Sequence, residues 1–165
     1  MSTPEPALTF REMLAYSDFL AQRWLEYFKK HEDALDIEIG GKTGNMRNLV
    51  GHIFQVENFF ANFLLQEPSV TPTAPPPPLQ AASLETLSKL HRESLEKLEQ
   101  FLALANEERL RQTRKLGPVT VSNRKILAQP LFHSVHHWAQ VAMEVRQAGF
   151  PPQPPQDIII SPVMQ

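Results

Sequence analysis

Prolines set the first limit on what this chain can fold into. Most of the fifteen lie in three clusters, at the N-terminal end, over residues 68–78 and after residue 150, and the long segments between them carry apolar residues at three- and four-residue spacing. Proline interrupts helices and sheets alike, whereas an apolar repeat near 3.6 residues marks a helix with one buried face. The chain is therefore expected to be all-α, a set of helices that bury their stripes against one another. Its 165 residues are the length of one domain, and 42% hydrophobic with 21% charged residues is material for a sizeable core.

The spacing predicts four helices, at about 10–30, 46–66, 83–106 and 122–148, in a single domain spanning residues 1–165. Thr9-Phe10-Arg11-Glu12 reads as a capping box opening the first helix, with Leu8 and Met13 as its hydrophobic staple. Met13, Leu14, Phe19, Leu20, Trp24, Leu25 and Phe28 form its apolar face, and Trp24 and Tyr16 are read as core. Residues 36–44, DIEIGGKTG, are expected to be a short extended piece or loop, after which Asn45 caps the second helix and Pro68 marks its end.

The four consecutive prolines of the 68–78 segment favour polyproline II and read as a stiff crossover from one end of a bundle to the other, rather than as a ligand for an aromatic groove. The third helix carries Leu84, Leu87, His91, Leu95, Leu98 and Leu102 on one stripe. Residues 116–121, LGPVTV, are read as extended, and Ser122 as the cap of a fourth helix that Gly149 stops, with Arg146 favourably placed in the last turn. An irregular surface tail occupies 150–165. Four helices with two short connections and one long one specify a four-helix bundle and leave little sequence for a sheet.

Composition excludes several functions. Sixteen Lys and Arg against 18 Asp and Glu give a net charge of −2 without a basic block, so neither a dedicated nucleic-acid binder nor a polybasic membrane anchor is expected. With no cysteine there is no disulfide, no protein thiolate and no Cys-ligated metal, and any metal must sit on nitrogen and oxygen ligands. The first residues lack the charged and apolar regions of a leader, and no apolar run approaches the length of a membrane span, so a cytoplasmic protein is expected.

Chemistry concentrates in the fourth helix. His133 and His137 stand at i and i+4 in LFHSVHHWAQVAMEVRQAG, one above the other on a helix face where two imidazoles can chelate one ion. They share an arc with Gln140 and Glu144, facing away from Leu131, Val135, Ala142 and Val145. Such an arc is also what plain solvent surface looks like, so a third ligand is needed. His52 is the candidate, at the edge of the second helix's stripe beside Leu49, Val56, Phe59 and Phe63. His91, on the third helix's stripe, is the rival. Pro130 interrupts the helix ladder one turn before His133.

These stretches, NLVGHIFQVENFF together with HSVHHWAQVAMEVRQAGFPP, resemble the DinB family of small metal-binding four-helix proteins. One histidine of the second helix and an HxxxH pair in the fourth, followed by a glutamine and an RQxG turn, are that family's usual signature. The resemblance implies His52, His133 and His137 as metal ligands, His136 as the common extra histidine and Gln140 as the following glutamine. It also implies an up-down-down-up bundle, and a homodimer. One departure is Trp138, where an arginine is frequent, which leaves without support any anionic group such an arginine holds.

Three neutral imidazoles leave a divalent ion its full charge and at least one open position, the arrangement of catalytic sites. Zinc and nickel both suit imidazole, and an ion so held activates a water or an incoming thiol. Glu57 and Glu144 are candidates for supporting or base groups, with solvated surface as the expected role of each. No acidic residue stands three before any histidine, which excludes a ferritin-like di-iron centre; HExxH, glycine-rich phosphate loops and GxSxG are missing too. The expected function is that of a mononuclear metal-dependent enzyme similar to the thiol S-transferases of the DinB family, acting on a small molecule with a low-molecular-weight thiol. The alternatives are a metal-dependent hydrolase, and a non-catalytic bundle that binds a small ligand or a partner.

Overall fold

The structure is a computed structural model, and it describes residues 8–67, 79, 81–153 and 155–164. The chain forms helix α1 (Phe10–Lys30), a two-stranded hairpin β1 (Glu38–Ile39) and β2 (Gly44–Asn45), and helices α2 (Met46–Leu65) and α3 (Leu84–Ala103). A short helix α4 (Glu107–Arg111), a second hairpin β3 (Thr113–Leu116) and β4 (Val119–Ser122), and helix α5 (Asn123–Gln147) complete it. The all-α expectation holds, and the four predicted helices are α1, α2, α3 and α5. The polyproline reading of residues 68–78 lies outside the described residues.

The helix ends are written in the sequence. Thr9 N–H donates to Glu12 Oε2 at 2.7 Å and Glu12 N–H donates back to Thr9 Oγ1 at 3.2 Å, the capping box expected of that pair. Asn45, Ser83 and Ser122 each accept a backbone N–H of the first turn of α2, α3 and α5. At the far end of α5, Gly149 takes φ +78°, its N–H meets Arg146 O at 3.1 Å and Phe150 N–H meets Val145 O at 3.2 Å, a Schellman stop.

Two local readings change. The third helix ends at Ala103 rather than near 106, because Asn106 caps the separate helix α4. The extended stretch is also longer than LGPVTV: it is a hairpin whose two-residue turn opens on Gly117 at φ +56°. Thr113-Arg114-Lys115 is too polar to read as a strand, but Arg114 is buried and gives the segment its reason. Its guanidinium donates to Phe63 O, Leu64 O and Gln66 O, the free carbonyls at the end of α2, and to Asn123 Oδ1.

In the bundle α2 packs against α3 and α5, and α1 packs against the same two. Contacts of α2 advance with the chain of α3, Arg47 meeting Ala82 just before α3 and Glu57 meeting His91 within it, so these helices run parallel. Contacts between α2 and α5 run oppositely, Phe54 with Trp138 and Glu57 with Ser134. The buried apolar residues form two clusters. One holds Trp24, Phe28, Phe54, Trp138 and Val145, with Trp24 and Trp138 stacked at 5.8 Å between ring centroids. The other holds Leu14, Phe63, Leu98, Phe101, Ile126 and Leu131.

Between the two clusters lies a polar layer to which each long helix contributes one side chain. Glu57 of α2 accepts from Ser134 Oγ of α5 at 2.7 Å and pairs with His91 Nδ1 of α3 at 2.8 Å; His91 Nε2 reaches Asp18 Oδ1 of α1 at 3.1 Å. Beyond α5, the tail lies along α1: Tyr27 Oη donates to Pro151 O and Tyr16 Oη to Gln156 O. Among the described residues no helix is long and apolar enough to cross a membrane.

Candidate metal centre

The opposed run of α2 and α5 brings His52 to the side of α5 that carries His133 and His137. The Nε2 atoms of His52 and His133 are 3.1 Å apart, and one ring nitrogen from each of the three histidines lies within 4.8 Å of the others. His52 is exposed while His133 and His137 are half-buried, so the cluster sits at the bundle surface with one side open. His137 Nδ1 is 2.6 Å from Gln140 Oε1, an atom that only accepts, so Nδ1 carries the ring proton and Nε2 keeps its lone pair.

Charge is disfavoured at all three. Burial, and then the neighbouring imidazoles of His137, His52 and His136, push the His133 pKa down to about 3. Burial also depresses His52 and His137, helped by the other histidines and opposed at His137 by the Gln140 hydrogen bond. At neutral pH the rings are uncharged, the form in which imidazole ligates a metal. Among the described residues His133 Nδ1 is buried without a hydrogen-bond partner. Three converging neutral nitrogens with no carboxylate among them fit one divalent transition ion with a free position on the open side.

The other candidates separate. His136 is exposed, with its ring 5.1 Å from that of His137, and is not one of the three converging groups. Glu144 is half-buried and likewise outside the group. His91 is wholly buried and belongs to the polar layer, where burial opposes its charge but the carboxylates of Glu57 and Asp18 outweigh it and raise its pKa to about 9. It is a cation between two carboxylates, and its two nitrogens are already engaged.

Two expectations are corrected. Glu57 is not solvated surface but 4% exposed, bound by Ser134 and His91. Its position in the stripe Val50, Phe54, Glu57, Ala61, Leu64 was the available signal: a carboxylate at a core position of α2 matched by an imidazole at a core position of α3. Val135 does not face the core with Leu131, Ala142 and Val145 but is 44% exposed. The buried arc of α5 centres on Ser134, Trp138 and Val145, which leaves Val135 at its solvent edge. Trp138 fills the core against Trp24 and Phe54, so the residue that departs from the expected arginine serves packing.

Comparison with known proteins agrees with this architecture. The family model of the DinB family matches residues 1–158. A crystal structure of the DinB-like protein YjoA from Bacillus subtilis superimposes with a TM-score of 0.60 at 20% sequence identity, covering 90% of this chain and 96% of that one, a likeness that speaks to the fold alone. No curated protein matches the sequence.

Proposed function

The chain belongs to the DinB family, and from that premise we propose that it is a mononuclear metal-dependent enzyme of the thiol S-transferase kind, with His52, His133 and His137 holding one zinc or nickel ion. The observation that carries this reading is the convergence of three uncharged imidazoles, from two helices, within 4.8 Å. Such an ion supplies the Lewis acidity that makes a thiol or a water nucleophilic near neutral pH.

The chain's own residues do the rest. Gln140 fixes the tautomer of His137, and the packing of α2 on α5 brings His52 to the pair. The exposure of His52 keeps one side of the cluster within reach of a substrate. With no cysteine in the chain, a sulfur nucleophile has to come from outside it. In the transfer its sulfur bonds to an electrophilic carbon, the leaving group departs with its electron pair, and the thiol proton passes to solvent.

The test is metal content of untagged protein beside His52→Ala and a His133→Ala/His137→Ala double variant, followed by a screen of electrophiles with and without added thiol. About one divalent ion per chain, lost in both variants, with turnover that requires thiol, is the expected result. Turnover with water alone reassigns the site to a hydrolase. Failure of the wild type to take up metal after reconstitution removes the enzyme reading and leaves a binding bundle.

A further inference from the structure

We propose that the buried layer of Glu57, His91 and Ser134 sets the placement of α5 on α2 at which His52 meets His133 and His137, so that these three are positioning residues for the metal centre. The proposal rests on the metal reading above, and it begins from where the layer sits. On each long helix its residue falls in the gap between the two apolar clusters: Asp18 between Leu14 and Leu20, Glu57 between Phe54 and Ala61, His91 between Leu87 and Leu98, Ser134 between Leu131 and Trp138.

Apolar layers tolerate sliding, because dispersion contacts are many and non-directional. A buried carboxylate does not, since every displacement leaves a buried oxygen without its hydrogen-bond donor. Glu57 has one oxygen on Ser134 Oγ at 2.7 Å and the other on His91 Nδ1 at 2.8 Å, and both partners are fully buried. The Ser134 hydroxyl also lies 2.8 Å from Pro130 O, one turn back in α5, which restrains its rotamer. Glu57 and Ser134 thus join α2 to α5 at a single register.

The consequence for the histidines follows from the chain. Ser134 is covalently next to His133 and three residues before His137, while Glu57 lies five residues beyond His52 on the same rigid helix. The bond from Glu57 to Ser134 and the approach of His52 to His133 are two rungs between the same helices, on adjacent residues of α5. A shift or rotation of α5 that lengthens the first rung moves the second by a similar amount. Among the described residues, the hydrogen bond that these imidazoles make outside their own cluster is that of His137 with Gln140.

The test uses the full-length chain with Ser134→Ala and Glu57→Gln. Leu98→Ala, a core truncation away from the polar layer, serves as the control for general loss of stability. Three readouts are taken: cobalt(II) affinity by competition, the visible absorption band of the cobalt-loaded protein, and the cross-peak between the His52 and His133 rings in the NMR spectrum of the metal-free protein. The expected result is that Ser134→Ala weakens cobalt binding about tenfold and changes the band, with Glu57→Gln at least as severe. Both weaken the ring cross-peak, whereas Leu98→Ala loses thermal stability but keeps wild-type affinity, band and cross-peak.

The proposal is overturned if the two layer variants, folded by circular dichroism, keep all three at wild-type values, or if Leu98→Ala moves them equally. Should wild-type protein bind no cobalt, the metal reading falls and the cross-peak decides the positioning claim alone. Its retention in both layer variants overturns the claim, and its loss in them but not in Leu98→Ala upholds it.

Discussion

His91, wholly buried, and His133, half-buried, are histidines of one bundle whose surroundings send them in opposite directions. Burial disfavours the charged ring at both. At His91 two carboxylates reverse the effect and hold the pKa at about 9; at His133 three further imidazoles reinforce it and the pKa falls to about 3. The first is therefore a cation that ties α1, α2 and α3 together, and the second an uncharged ring in a three-histidine group that could hold a metal. Burial alone does not assign a histidine its role. The charge of the groups that neighbouring helices bring to it does.

The largest effect that tests this contrast is on metal uptake. The His133→Ala/His137→Ala variant is expected to fall from about one ion per chain to none by elemental analysis, while His91→Phe keeps its metal stoichiometry at saturating metal. Equal loss in both would erase the distinction between the two sites.

Stability separates them next. His91→Phe leaves Glu57 buried without its cation, and breaking a buried pair in this way costs roughly 3–5 kcal/mol. Urea unfolding should register that loss, and a change within error would mean that the layer is not ionised. Gln140→Leu touches only the surface site: its expected effect is about a tenfold loss of metal affinity through a freed His137 ring, with the unfolding midpoint of metal-free protein unmoved.

The pH dependence of metal-free protein gives a finer test, and the two histidines should govern opposite limbs. His91 has a folded pKa of about 9 against an ordinary 6.5, so its contribution is fully present below pH 6.5 and is lost as pH rises toward 9. His133 has a folded pKa of about 3, so the unfolded chain gains a proton that the folded chain refuses, and stability is lost as pH falls from 6.5 toward 3. His91→Phe should flatten the alkaline limb and His133→Ala part of the acid limb, read from urea midpoints across that range. The smallest expected effect is that of Thr9→Ala, about 1 kcal/mol for a lost helix cap, with neither limb altered.

Much of this was legible in the sequence, though unevenly. The four helices followed from apolar spacing, and several of their ends from Thr9, Asn45, Ser122 and Gly149, because caps and stripes depend on residues within a turn of one another. The β3–β4 hairpin was only half visible, since the reason for its polar first strand is a set of α2 carbonyls about fifty residues away. Glu57 was misassigned for a related cause: a glutamate in a helix is usually solvated, and only the arrival of His91 and Ser134 makes its burial tolerable.

The sequence by itself determined that His133 and His137 share one face, because a separation of four residues is nearly one turn of any α-helix. It placed His52 ahead of His91 as their companion only by position on a stripe, since both sit on or beside apolar stripes. The tertiary structure decided that: the antiparallel contact of α2 with α5 carries His52 to two imidazoles, and the polar layer gives His91 to two carboxylates. Spacing within a helix is fixed by hydrogen bonds between near neighbours in sequence, whereas the partner a side chain meets across a bundle depends on how whole helices pack.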